Sequence, residues 1–303
     1  MTRRTAFGTT AWLAAAGAPA YAFEYWDVFT KRRFTGNPLA VFTNAHGLEK
    51  ERMFEIARET NLSETTFVFG TSAKGVRTRI FTPVTEYDFA GHPTLGTAMS
   101  LWRKGMTKVA LDLNIGPVPV EYRVDAEGMY GEMVQPEPQF GEVHEPEVIA
   151  KLIGLPVSDL DTRHPIQNVS TGRPNLLVLL KSRRAMGALN INWKAVTDYL
   201  AEGDKARGFY FLTEETERGG KYLARKLSAR AEDPVTGSAA GSAIAWLVSR
   251  KLVGSGEGVV IEQGANVSRP GELYVSAEAS GSRATRVKVG GYAVKCWTGQ
   301  MPG

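Results

Sequence analysis

The chain has 303 residues, 43% of them apolar and 22% charged, with 36 basic against 32 acidic side chains for a formal net charge of +4. That composition excludes a disordered or collagenous chain, and a single cysteine excludes an intrachain disulfide framework or a cysteine-built zinc site. Four histidines, none three or four residues from another, argue against a histidine-built metal site, and so mild a basic balance argues against nucleic acid as a partner.

Met1 to Ala22 opens with Arg3 and Arg4, continues through an Ala-rich apolar stretch and ends on Ala20-Tyr21-Ala22. This is the layout of a secretory signal with an A-x-A cleavage site, and the alternative is a disordered leader or an unused upstream start. Export would follow only if the signal works. Cleavage after Ala22 would leave a chain opening on the alternating strand Phe23 to Phe29, so its removal is expected to cost the fold nothing, and residues 1–22 are set apart. No later stretch reaches the ~18 to 20 apolar residues that a membrane span needs.

The remainder reads as two related halves. Thr35-Gly36-Asn37-Pro38 leads into an apolar strand, as does Thr171-Gly172-Arg173-Pro174, at an offset of 136. Phe67-Val68-Phe69 and Phe209-Tyr210-Phe211 follow at an offset of 142, and Ala90-Gly91-His92 and Thr236-Gly237-Ser238 at 146. Their colinearity argues for internal duplication. Strands are predicted at 24–29, 39–43, 65–70 and 76–82. Met53, Ile56 and Ala57 give a surface helix over 49–60 that stops near Asn61. A helix starts with Pro93 as its first residue and runs to about Lys104, its body small and apolar as for a helix enclosed by sheet. In the second half Ser238 is expected to cap the matching helix, with Arg250 and Lys251 in its last turn. Asp204 to Gly208 and Gly219-Gly220 read as turns, and the Pro- and Gly-rich segment 111–140 holds the boundary. The division is 23–130 and 131–303, with the last ~15 residues returning to the first half.

Three segments combine a reactive side chain with unusual backbone. Glu64 lies between a helix end and an apolar strand, where desolvation would raise its pKa and suit it to general acid/base work; the alternative is a local cap or pair. His92 stands at the mouth of a helix whose free N–H groups can hold a carboxylate, with Gly91 allowing close approach; the alternative is a capping histidine. Asp233 precedes Gly237 and Ser238 at the second helix mouth, where a plain N-cap is the alternative. Duplication would set the two mouths facing each other across a cleft. Lys31 to Arg33 and Lys181 to Arg184 read as solvated basic runs, and His46, His144 and His164 as surface residues. Gly254 to Gly258 is a loop without the lysine of a phosphate-binding loop, no nicotinamide fingerprint follows a strand, and Cys296 is expected to be a half-buried structural thiol.

Asp27 to Thr30, Phe34 to Pro38, Asn61 to Thr65, Phe81 to Pro83, Phe89 to Gly96, Asp233 to Ala239, Gln263-Gly264 and Arg269-Pro270 together resemble the PhzF-like (phenazine biosynthesis) family, over residues 24–295. That family is similar in fold to diaminopimelate epimerase. The resemblance implies an α+β fold of two pseudo-symmetric halves, each an antiparallel barrel-like sheet wrapped round a central helix, with the active site in the cleft between them. It implies a cofactor-independent isomerase needing no metal, in which Glu64 moves a proton between two carbons of a small carboxylate substrate. His92 and Asp233 would assist, and Gly91, Gly237 and Ser238 would hold the substrate carboxylate. A cytoplasmic homodimer is the family expectation. The two helix mouths lack the paired thiols of two-cysteine racemases, so thiol chemistry is excluded there. An epimerase or dehydratase of an amino or hydroxy acid could use the same residues, and a non-catalytic binding protein could keep the same cleft.

Overall fold

The computed structural model describes residues 20–200, 208–281 and 283–302. The first half runs β1 (Ala20–Val28), β2 (Asn37–Phe42), α1 (Lys50–Thr60), β3 (Thr65–Ser72), β4 (Gly75–Phe81), β5 (Glu86–Tyr87), α2 (Gly91–Leu101), β6 (Lys108–Leu113), β7 (Gly116–Asp125) and β8 (Gly128–Val134). The second runs β9 (Gln139–His144), α3 (Pro146–Ile153), β10 (Ile166–Ser170), β11 (Pro174–Leu179), α4 (Arg183–Gly187), α5 (Trp193–Leu200), β12 (Phe209–Thr213), β13 (Tyr222–Leu227), β14 (Glu232–Asp233), α6 (Gly237–Ser249), β15 (Val259–Gln263), β16 (Gly271–Ser280) and β17 (Arg283–Pro302).

The first barrel closes. Pairing passes from β1 through β2, β3, β4, β6, β7 and β8 to β17, which returns to β1. The second follows the same path from β10 through β11, β12, β13 and β15 to β16 and β17. In each half most neighbours are antiparallel, but two pairs are parallel: β2–β3 and β4–β6 in the first, β11–β12 and β13–β15 in the second. A parallel pair needs a crossover, and in both halves helices supply it. The long strand β17 serves both barrels. Tyr274 of β16 faces its Gly290, Tyr130 of β8 faces Tyr292, and Val28 to Ala20 face Ala293 to Pro302.

The two central helices are buried on every side. Gly91 to Ser100 in α2 and Gly237 to Val248 in α6 are all buried. A helix without a solvent face has no use for a polar stripe, which accounts for the run of Gly, Ala, Ser and Thr with single large anchors such as Leu95 and Trp246. Both helices share one core cluster, in which Leu95 and Met99 join Ala239, Ile244 and Leu247. Two smaller clusters lie outside. α1 covers Ala40, Phe42 and Phe67, and α3 to α5 cover Leu176, Val178, Phe209 and Phe211.

Several expectations are corrected. The two central helices start at Gly91 and Gly237, ahead of Pro93 and Ser238, so neither is the opening or capping residue; Ala90 and Thr236 hold the cap positions. α2 stops at Leu101, and α6 stops at Ser249, leaving Arg250 as its cap and Lys251 in the left-handed region. His144 is buried, its Nδ1 2.9 Å from the Tyr199 hydroxyl. Residues 1–19 of the expected leader, and 204–207 of the expected turn, fall outside the described residues. Ala20 to Ala22 belong to β1, and Tyr21 is buried beside Phe42 in the α1 cluster, so removal up to Ala22 would cost the fold a paired and packed strand end. Among the described residues no helix is long and apolar enough to cross a membrane.

Candidate active site

α1 ends where Asn61 turns left-handed (φ 49°), its N–H returning to Ala57. Four residues later Thr65 enters β3, and its hydroxyl meets that of Thr60 at 2.8 Å. Glu64 is pinned between these two fixed points. The next residue, Thr66, accepts from Thr97 of α2 at 2.8 Å, which registers the Glu64 strand against the helix that carries His92.

His92 lies in the first turn of α2, 4% exposed. The Pro38 backbone carbonyl bonds its ring. Proline offers only an acceptor there, so the imidazole donates to it. Nε2 is buried with no partner, and Glu64 Oε2 is 3.6 Å from it. Burial holds the His92 pKa down to about 3, so the ring is neutral and presents a bare lone pair to the carboxyl. Glu64 itself keeps 15% of its side chain exposed. Burial above all, and then the charge of Asp233, push its pKa up to about 8, with the Arg173 charge acting against them.

Asp233 reaches the same place from the other half. Its Oδ1 accepts from Asn37 Nδ2 at 3.0 Å and from Ser63 Oγ at 3.5 Å, and its Oδ2 accepts from the Thr236 hydroxyl. Burial raises its pKa, and these hydrogen bonds with the Lys226 charge oppose the rise. Gln263 fixes the backbone beneath, donating to the Asp233 carbonyl at 2.8 Å and to the Thr236 hydroxyl at 3.1 Å while accepting from Tyr210.

The helix mouths abut. A Cβ on Gly91 would stand 2.6 Å from Ser238 N, and one on Gly237 would stand 2.8 Å from the Phe29 ring and 3.2 Å from Gly91 Cα. These glycines therefore let the two starts touch, which brings both sets of unpaired N–H groups and both positive dipole ends together. All six residues singled out from sequence, Glu64, His92, Asp233, Gly91, Gly237 and Ser238, converge here. A cavity of about 290 Å³ lined by Phe29, Lys31, Arg218 and Tyr292 opens elsewhere, and none of Glu64, His92 and Asp233 borders it.

Sequence reasoning passed over Asn37, Ser63, Thr236, Arg173 and Lys226 as side chains with a part in the site. The Asn37-Pro38 pair does double duty: the first residue holds Asp233, and the second holds His92. The signal for it is in the sequence, since Thr35-Gly36-Asn37-Pro38 belongs both to the repeated turn and to the motifs of the family resemblance. Arg269 secures that turn through the carbonyls of Gly36 (2.8 Å) and Thr35 (3.0 Å) and an ion pair with the buried Asp27. Cys296 is half-buried, donates to Asp27 Oδ2 at 2.8 Å and has its pKa pushed up to about 11, as fits a structural thiol.

Residues 26–299 match the model of the family described as phenazine biosynthesis-like protein. A trans-2,3-dihydro-3-hydroxyanthranilate isomerase of Pseudomonas aeruginosa is 35% identical over 271 residues, covering 88% of this chain and 93% of that enzyme. The crystal structure of a PhzF-family phenazine biosynthesis protein from Bacillus anthracis superposes with a TM-score of 0.84 at 27% identity, over 93% of this chain and 99% of that one. A hydroxyproline epimerase from Agrobacterium vitis shares the fold at 11% identity, with a TM-score of 0.61 over 93% of this chain and 92% of that one.

Proposed function

The chain belongs to the phenazine biosynthesis-like (PhzF) family and is an isomerase, and from that premise we propose that it moves a proton between two carbons of a small carboxylate substrate with Glu64 as the acid/base. The observation that carries this reading is the Glu64–His92 contact: a carboxyl with a pKa near 8 facing a neutral, unpartnered imidazole nitrogen at 3.6 Å.

A carboxylate is an ordinary base only when solvated. Desolvated, Glu64 takes up a proton readily near neutral pH and can hand it back to a second carbon. The abutting helix mouths supply the complement. Their N–H groups can hold the substrate carboxylate and stabilise charge that spreads onto it as the C–H bond breaks. Asp233 and the neutral His92 can then orient the substrate's polar groups on either side of Glu64. The chain's own residues account for each of these steps, which supports a reaction without an organic cofactor or metal.

The test is an isomerisation assay on a panel of small carboxylates that includes trans-2,3-dihydro-3-hydroxyanthranilate, the compound named for the Pseudomonas aeruginosa relative. Glu64→Gln keeps the shape and removes the base, so turnover of whichever panel member is isomerised should fall by about 10²- to 10⁴-fold. A Glu64→Gln protein that isomerises at the wild-type rate would remove Glu64 from the mechanism.

A further inference from the structure

The pseudo-symmetry extends to side chains. Arg79 and Glu86 form a two-pronged ion pair across β4 and β5 (2.7 and 2.7 Å), and Arg225 and Glu232 form its copy across β13 and β14 (3.0 and 2.7 Å). In the same register Ile80 faces Tyr87 and Lys226 faces Asp233. Tyr87 is thus the first-half counterpart of Asp233. The turns entering β2 and β11 likewise make Arg173 the counterpart of Asn37. Each turn reaches across to the opposite half: Asn37 donates to Asp233, and the Arg173 guanidinium stacks over the Tyr87 ring, 3.7 Å from its centroid.

The counterparts differ in chemistry, and the difference is a charge. Asn37 is neutral, and its Nδ2 donors go to Asp233 and the Val235 carbonyl. Arg173 is half-buried, and among the described residues no carboxylate lies within ion-pair distance of it. It stacks on an aromatic face, and among the described residues the in-plane N–H donors of the guanidinium meet no acceptor. Lys226 stands where the first half has Ile80; it faces Asp233, whose charge it feels, and donates to Asn175 Oδ1 at 2.7 Å. The Thr171 hydroxyl, two residues before Arg173, donates to the Ser238 carbonyl at 3.3 Å, which sets Arg173 beside the second helix mouth, and its charge bears on Glu64.

We propose that Arg173, oriented by Tyr87, binds a second anionic group of the substrate, so that the enzyme selects carboxylates carrying a further acidic group over monocarboxylates. This rests on the reading of the helix mouths as the place of the first carboxylate. A planar guanidinium with open donors matches a carboxylate in two-pronged geometry.

The test is calorimetric binding at pH 7 of malonate, succinate, glutarate, adipate and isophthalate against propionate, butyrate, valerate, hexanoate and benzoate. At least one dicarboxylate should bind the wild type about tenfold or more tighter than its matched monocarboxylate. Arg173→Gln should abolish that preference while leaving the monocarboxylate affinity within a few-fold, which also shows that the variant is folded. Arg173→Lys should retain part of it. Absence of a dicarboxylate preference in the wild type, or its survival in Arg173→Gln, overturns the proposal. Glu64→Gln should keep the preference intact, so the binding result stands or falls separately from the assignment of Glu64 as the base.

Discussion

Glu64 owes its chemistry to where its neighbours leave it. It follows a left-handed helix end, precedes a buried strand and faces a histidine that burial keeps neutral, so nothing nearby compensates its negative charge fully. The linkage has a definite sign. A carboxyl whose pKa is raised from 4.5 to about 8 binds its proton more tightly in the folded protein than in the unfolded chain. Its stabilising contribution is complete below about pH 4.5 and is lost as pH rises through about 8. Thermal melts of the wild type and Glu64→Gln between pH 5 and 9 should therefore diverge, with the wild type losing Tm relative to the variant as pH rises. Parallel melting curves across that range would mean that Glu64 titrates as an ordinary surface carboxyl.

At the scale of elements, the abutting starts of α2 and α6 set the site. Gly91→Ala would force a methyl group to 2.6 Å from the Ser238 backbone nitrogen, where no rotamer change gives relief. A loss of about 1–3 kcal/mol in urea unfolding is expected, with a fall in isomerase activity. Gly187→Ala in α4 meets nothing within 4 Å and should be neutral or slightly stabilising. The paired mouths were legible in sequence because duplication leaves a trace in glycine, proline and apolar spacing. Strand positions, α1 and its stop at Asn61 were legible for the same reason: they follow local periodicity and turn chemistry. The partners of Asp233 were not. Asn37 lies nearly two hundred residues away in sequence, and only the crossing of the two turns between halves brings it there. The helix starts were misjudged because Pro93 and Ser238 satisfy local rules for first and capping residues, whereas the buried contact of two glycines decides where the helices begin. His144 reads as a surface residue from its polar flanks, and only the packing of α5 against β9 buries it beside Tyr199.

The whole molecule is two copies of one plan sharing a strand. β17 pairs with β16 of the second copy and with β8 and β1 of the first, so the chain's last residues close the barrel that its early residues open. That closure reaches back to Ala20. A chain beginning at Phe23 should melt below the full chain, because it loses the pairing of Ala20 to Ala22 and the burial of Tyr21. Tyr21→Ala in the full chain should cost about 2 kcal/mol in urea unfolding. Equal stability of the Phe23 chain and the full chain would show that the strand end adds nothing. The same shared architecture brings Glu64 of one half beside Asp233 of the other, and the proposal that unites fold and function is that Glu64 carries the proton. The most direct measurement follows solvent deuterium into the substrate and product by mass spectrometry in heavy water. The wild type should incorporate deuterium at a carbon position and Glu64→Gln should incorporate none. Incorporation by Glu64→Gln at the wild-type rate would contradict the account.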